Sequence, residues 1–186
     1  TPDLRRTGGE TWARSRKCGI RQHMVRLARG EGPWRAEAVK IAEGARADII
    51  DINMGCPAKK VIGGYSGSAL MRDPDHALAL IEATVNAVKV PVTVKMRLGW
   101  DHDSLNAPHI ASRAEAAGVA MITVHGRTRT QFYEGRADWD AIRAVRDVLS
   151  IPLVANGDVD TAEDAQEILR RSGADAVMGG RSAQGR

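Results

Sequence analysis

Apolar positions in this chain fall into two alternating patterns. Short runs rich in Ile and Val, nearly continuous in apolar character, stand at 48–52, 92–96, 121–124, 153–155 and 174–178, with a weaker one at 24–28. Such runs mark strands buried on both faces of a parallel sheet. Between them, apolar residues recur at helical spacing. Pro74 follows Asp73 at a first helical position, and Leu78, Ile81, Val85 and Val88 then line one face. Asp138 can cap a helix carrying Trp139, Ile142, Val145 and Leu149. Thr161 and Asp164 have the spacing of a capping box ahead of Ala165, Ile168 and Leu169, and Gly173 is a C-terminal stop. Pro91 and Pro152 each stand just before a strand, where a missing N–H does least harm. Strand and helix repeat at about 30 residues, the length of one βα unit. This order predicts a parallel sheet with right-handed crossovers, open or closed into a barrel, with at most six units.

Composition narrows the class. The chain has 186 residues, 43% hydrophobic and 27% charged, the profile of one globular domain. No apolar run reaches the ~18 residues that span a bilayer, and the N-terminal 22 residues lack the apolar stretch of a signal peptide. A membrane role is therefore not expected. The two cysteines, Cys18 and Cys56, cannot make a disulfide framework, and a reducing cytoplasm suits them best. Aromatic residues, at 4%, are too few for an extended stacking platform on single-stranded nucleic acid. The net charge of +4 is unevenly spread. Residues 1–35 hold nine Lys/Arg against three Asp/Glu, whereas 36–186 hold 18 against 20. Any nucleic-acid reading must rest on where particular cations stand. Residues 1–23 show no periodic apolar face and read as an irregular basic segment ahead of a domain over 24–186.

In parallel α/β folds, ligands gather outside the carboxyl ends of the strands. Each strand here is followed by polar or Gly-rich residues: Asn53-Met54-Gly55-Cys56-Pro57 with Lys59 and Lys60, then Lys95-Met96-Arg97, His125-Gly126-Arg127-Thr128-Arg129, Asn156-Gly157-Asp158 and Gly179-Gly180-Arg181. Five such ends on one rim make a candidate site. Cys56 is either a small buried hydrophobe or, near cations, a nucleophile or proton donor. Lys95 either reaches solvent or meets an anionic or carbonyl partner. His125 either donates to a ligand or is a satisfied core histidine. The last two strand ends have the small residues and the cation that a phosphate needs. No Cys-x-x-Cys or Cys/His spacing suggests a metal site.

Together these motifs, with Val92-Thr-Val-Lys-Met-Arg-Leu-Gly99 and Val124-His-Gly-Arg-Thr-Arg129, resemble the tRNA-dihydrouridine synthases, nearest the bacterial B-type branch often labelled a nitrogen-regulation protein. The resemblance runs from about residue 36 to 186, with a weaker start near 24. It implies a (β/α)8 TIM barrel, here incomplete with about six of eight units, since a full barrel is typically ~250 residues. It implies an FMN-dependent oxidoreductase that reduces the C5=C6 bond of uridines in tRNA with NADPH as reductant. Cys56 matches the family's proton donor and Asn53 the residue that holds the uracil edge. Lys95 and His125 would contact the flavin ring system, and Asn156, Gly157, Asp158, Gly180 and Arg181 its ribityl and phosphate groups. Lys59, Lys60, Arg97, Arg127 and Arg129 are candidates for tRNA phosphates. A cytoplasmic monomer without metal is expected, and intact motifs after residue 47 beside a patternless segment before 23 suggest a fragment or frameshifted reading of a longer synthase. Two alternatives stand beside it: another flavin-dependent pyrimidine oxidoreductase, and a non-catalytic RNA-binding or regulatory remnant.

Overall fold

In the computed structural model, described over residues 24–27, 40–41, 43–44, 46–57 and 66–180, six strands form one parallel sheet in sequence order. They are β1 (Met24–Leu27), β2 (Ile49–Met54), β3 (Val92–Arg97), β4 (Met121–His125), β5 (Leu153–Asn156) and β6 (Ala176–Met178). Between them lie a 3-10 helix (Gly67–Arg72), α1 (Pro74–Ala87), α2 (Ala107–Ala116), the short α3 (Arg143–Arg146) and α4 (Ala162–Ser172). Every neighbouring pair is parallel, from Ile50 beside Val92 through Lys95 beside Thr123 to Asn156 beside Met178. Sequential parallel strands with helical crossovers make the parallel sheet that the repeat predicts and the incomplete (β/α) barrel that the resemblance implies. The residues 1–23, Ala28, Lys59, Lys60 and Arg181 lie outside the described residues.

The strands are short and largely buried on both faces. In β5 all four residues are buried, and in β3 all but Lys95 are. Ile50, Ile52, Met54, Val94, Met96, Ile122, Val124 and Leu153 are essentially free of solvent. Burying each such side chain contributes about 1.5–3 kcal/mol.

The helix signals act at the atoms expected of them. Asp73 Oδ1 accepts the His76 amide at 3.0 Å and caps α1 with Pro74 at its first position. Thr161 and Asp164 cap α4 reciprocally, and Gly173 ends it at φ 67 in the left-handed region. Arg143 donates to the Arg170 and Arg171 carbonyls, both at 3.0 Å, closing two of the acceptors that the end of α4 leaves open.

Two elements differ from the sequence expectation. The buried face of α1 is centred on Ala77, Leu80, Ile81 and Thr84, while Leu78 and Val85 are half-buried. Thr84 can occupy the core because its hydroxyl donates to the Leu80 carbonyl at 2.8 Å, which apolar periodicity does not register. The helix begun at Asp138 contracts to Arg143–Arg146 with turns on either side, although Trp139, Ile142, Val145 and Leu149 are all buried as expected.

The amino ends of the strands are anchored by a device used twice. Glu43 Oε1 accepts the amides of Lys89 and Val90 at 2.7 and 3.3 Å, just before Pro91 and β3. Glu115 Oε1 accepts those of Ser150 and Ile151 at 2.9 and 3.0 Å, just before Pro152 and β5. One helical carboxylate thus satisfies two loop donors ahead of a proline that has none, leaving the opposite rim free for chemistry.

Candidate active site

The carboxyl ends of β2 to β5 bring the predicted residues onto one rim. After β2, Asn53 Oδ1 accepts the Gly55 amide at 2.9 Å, turning the chain sharply away from the strand. Cys56 follows, partly exposed, and its carbonyl accepts both the amide and the hydroxyl of Ser68 at 3.0 and 2.8 Å. The Gly55 carbonyl accepts Arg97 Nε at 3.0 Å. The Cys56 loop is therefore gripped on both sides of the cysteine. A Cβ on Gly55 would stand 3.7 Å from Lys95 Nζ, so the amine of β3 adjoins the cysteine loop.

Arg97, expected at the rim, is buried to 3% exposure. Beside Gly55 it reaches the carbonyls of Thr128 and Phe132 at 2.7 and 2.9 Å, and it lies over the Tyr133 ring at 5.9 Å. Burial lowers its pKa from the ordinary arginine value. Arg127 is likewise buried, at 4%. It pairs with both oxygens of Asp158 at 2.8 Å and donates to the carbonyls of Glu134 and Gly135 at 3.1 and 2.6 Å. These two arginines hold the 128–135 loop by its carbonyls. Arg129 does remain at the rim, half-buried, with its guanidinium 4.7 Å over the Trp100 ring.

At the end of β5, Asn156 donates to the Met178 carbonyl at 2.8 Å and so joins β6. Gly157, at φ 122, gives its carbonyl to Trp139 Nε1 at 2.8 Å. Burial alone would raise the Asp158 carboxyl, but the Ala137 amide at 2.6 Å and the Arg127 guanidinium outweigh it and hold it below the carboxylate range. Asp158 is thus tied into the framework through Arg127 and the Ala137 amide. A cavity of about 570 Å³ opens beside these groups, lined by His125, Arg127, Tyr133, Asn156, Asp158, Val159, Asp160 and Gly180. That volume suits a drug-sized or cofactor-sized ligand.

His125 is the cavity's least satisfied group. Its Nδ1 is buried with no hydrogen-bond partner among the described residues. Burial first, then the charges of Lys95, Arg97 and Arg127, push its pKa down to about 3. The ring is neutral at neutral pH and presents a polar atom that a ligand can satisfy. The lining stops short of Cys56 and Lys95, yet Lys95 is near enough to help depress His125.

The folded pKa of His125 lies below its unfolded value of ~6.5. The unfolded chain therefore takes up a proton that the native state refuses, and stability falls as the pH drops from 6.5 towards 3. Urea unfolding at pH 7 and pH 5 is expected to show a loss of about 2 kcal/mol from this group, and His125→Gln should remove that part of the difference. Equal pH dependence in the variant would contradict it.

Gly157 is fixed by its surroundings. A Cβ there would stand 2.7 Å from the Ala137 Cβ, at a φ that side chains rarely adopt. Gly157→Ala is expected to cost about 2–3 kcal/mol in thermal or urea unfolding, and a loss below about 0.5 kcal/mol would contradict it.

Comparison with known proteins decides the family. A model for the dihydrouridine synthase (Dus) family matches residues 10–186. The chain belongs to that family. The match begins inside the basic segment, ahead of the region where the motifs are recognisable by eye. A probable tRNA-dihydrouridine synthase of Rhizobium leguminosarum bv. phaseoli is 75% identical over 177 residues, covering 95% of this chain and 56% of that one. A protein of the same name from Rhodobacter capsulatus is 65% identical, covering 87% and 50%. The tRNA-dihydrouridine synthase B of Xanthomonas axonopodis pv. citri is 51% identical, covering 87% and 49%. The chain spans about half the length of these relatives. Among solved structures, a mandelate racemase/muconate lactonizing enzyme from Roseiflexus sp. superposes with a TM-score of 0.60 at 17% identity, covering 84% of this chain and 39% of that one. That likeness speaks to the fold alone.

Ser68, Trp100 and Tyr133 were not singled out by sequence reasoning. Ser68 carries no local signal, since its role depends on a partner twelve residues away. Tyr133 could have been noticed as part of an aromatic pair in an otherwise polar loop. Among the described residues no cluster of His, Cys, Asp and Glu has the makings of a metal site, and no helix is long and apolar enough to cross a membrane.

Proposed function

We propose that this chain carries the catalytic core of a tRNA-dihydrouridine synthase that uses FMN and NADPH. The observation that carries the reading is the convergence on one rim of a gripped Cys56 loop, the Lys95 amine and a neutral His125 whose buried Nδ1 awaits a partner. These residues fit a flavin. A cavity of this size, with an unsatisfied imidazole nitrogen and three cations acting on it, suits a planar heterocycle rich in carbonyls that gathers negative charge. Lys95 and His125 would hold its ring system, and Asn156, Gly157 and Gly180 would flank its chain. Arg181 would complete the phosphate end. When bound, FMN supplies the hydride that the pyrimidine receives at C6, with NADPH as the ultimate reductant.

The chain's own residues supply the remainder. Asn53 uses its carbonyl oxygen on Gly55 and keeps its amide NH2 to donate to a uracil carbonyl. Cys56, in its thiol form, gives a proton to C5 and is later reprotonated from solvent. Hydride at C6 and proton at C5 saturate one C=C bond while NADPH becomes NADP+. The target base must leave the RNA stack to reach this rim. Lys59, Lys60 and Arg129 would meet phosphates around it, while Arg97 and Arg127 shape the loops.

Purified protein carrying this sequence is incubated with FMN, NADPH and unmodified tRNA, and the digested RNA is analysed by mass spectrometry. A uridine two mass units heavier is the expected product. Reduction of free pyrimidines with tRNA untouched would favour a different flavin oxidoreductase, and RNA binding without flavin would favour a non-catalytic remnant.

A further inference from the structure

Three successive loops on the same rim meet at one indole. Trp100 stands three residues beyond β3, and two guanidiniums lie against its ring: Arg72, from the last turn of the 3-10 helix, at 4.9 Å and Arg129, beyond β4, at 4.7 Å. The two cations are thus no further apart than the sum of those distances. The indole is fixed by backbone, since the Arg129 amide donates to the Gly99 carbonyl at 3.0 Å and the Thr130 amide to the Trp100 carbonyl at 2.9 Å. Gly99 permits this fold, because a Cβ there would come within 1.9 Å of the Ser104 carbonyl oxygen.

Two of the nearby carboxylates are engaged elsewhere. Asp73 caps α1 and Asp101 accepts the Ser104 hydroxyl, leaving Asp103 as the exposed carboxylate of the Trp100 loop. Among the described residues neither Arg72 nor Arg129 makes an ion pair, and Arg129 Nε is buried without a hydrogen-bond partner. Trp100 is half-buried. Two like charges are therefore held against one aromatic plate, Arg72 exposed and Arg129 half-buried. Such a pair is poorly matched to one carboxylate and well matched to two anions presented in series. Arginine on an aromatic face is pre-organised for bidentate contact with phosphate oxygens.

We propose that Trp100, with Arg72 and Arg129, forms a docking plate for two successive phosphodiesters of the tRNA strand entering the site. The proposal rests on the tRNA reading above and adds Arg72 and Trp100 to it. The plate adjoins the site, since the charge of Arg129 acts on Arg97, whose Nε donates to the Gly55 carbonyl beside Cys56.

The test is the salt dependence of tRNA affinity, measured on flavin-loaded protein carrying this sequence. Removing one cation from a phosphate lowers the slope of log K against log salt by about 0.7–0.9. The double variant Arg72→Gln/Arg129→Gln is therefore expected to lower it by about 1.5. Trp100→Leu changes no charge, yet it is expected to weaken tRNA binding about fivefold, and adding Arg72→Gln to it should cost less than about twofold more. Trp100→Phe restores most of the affinity and guards against a folding defect, and bound flavin per chain stays at the wild-type level. Wild-type slopes in the double variant, or full affinity in Trp100→Leu, would overturn the plate while leaving the tRNA reading intact. A raised KM for NADPH with tRNA affinity unchanged would assign the plate to the nicotinamide nucleotide and overturn it equally. A wild-type protein that binds no tRNA would remove both.

Discussion

Arg97→Met is expected to lower the unfolding free energy by about 3–5 kcal/mol, the consequence of removing charged hydrogen-bond donors from three carbonyls. Arg97 connects two loops: it donates to Gly55 beside the cysteine, and to Thr128 and Phe132 in the loop beyond β4. Methionine fills the volume but leaves three carbonyls without this donor. Their desolvation costs about 1–3 kcal/mol each where water cannot reach them. For a domain of this size a loss of that order lowers the melting temperature by about 10 °C. Arg97→Lys keeps the charge but cannot span both loops, so about half of the loss should remain. Thermal melts of the two variants decide the point. Melting temperatures within about 2 °C of the parent would show that the loops hold their shape unaided.

The same residue marks where sequence reading stops. The fold was legible because it depends on local rules: five buried Ile/Val runs, Asp73 and Thr161 at helix starts, and Gly173 at a helix end each act over a few residues. The end of the sheet that carries the site followed from strand direction, so Asn53, Cys56, Lys95 and His125 fell on one rim. Whether a basic side chain there faces solvent or carbonyls is decided by loops far apart in sequence. Arg97 closes β3 and Arg129 stands four residues beyond β4, yet it is the strand-end arginine that is buried among carbonyls of positions 55, 128 and 132 while the loop arginine stacks on Trp100. The sequence nominates Asp158 for a ligand because it follows Asn156-Gly157 beyond a strand, and the residue does line the cavity. Its bidentate pairing with Arg127 spans 31 positions, which no local pattern encodes. The shift of α1 towards Thr84 has a smaller cause of the same kind, a hydroxyl satisfied within its own helix.

Cys56→Ala is expected to slow dihydrouridine formation by about 10²–10⁴-fold, the range that a positioned general acid contributes. Flavin content should stay at the parent level, because the cavity is lined from β4, β5 and the segments beyond them rather than from the cysteine loop. The loop itself should persist, since its contacts to Ser68 and Arg97 run through backbone carbonyls that alanine retains. A loss of turnover would therefore report the thiol proton and not a collapsed site. Reduction of the bound flavin by NADPH should proceed at the parent rate, while its reoxidation by tRNA should become slow. Stopped-flow absorbance separates the two half-reactions in one preparation. The neighbouring imidazole cannot readily take over: with a pKa of about 3, His125 holds no extra proton to give at neutral pH. Reoxidation within about threefold of the parent would mean that another group protonates C5. The grip on Cys56 would then serve to shape the pocket for the base.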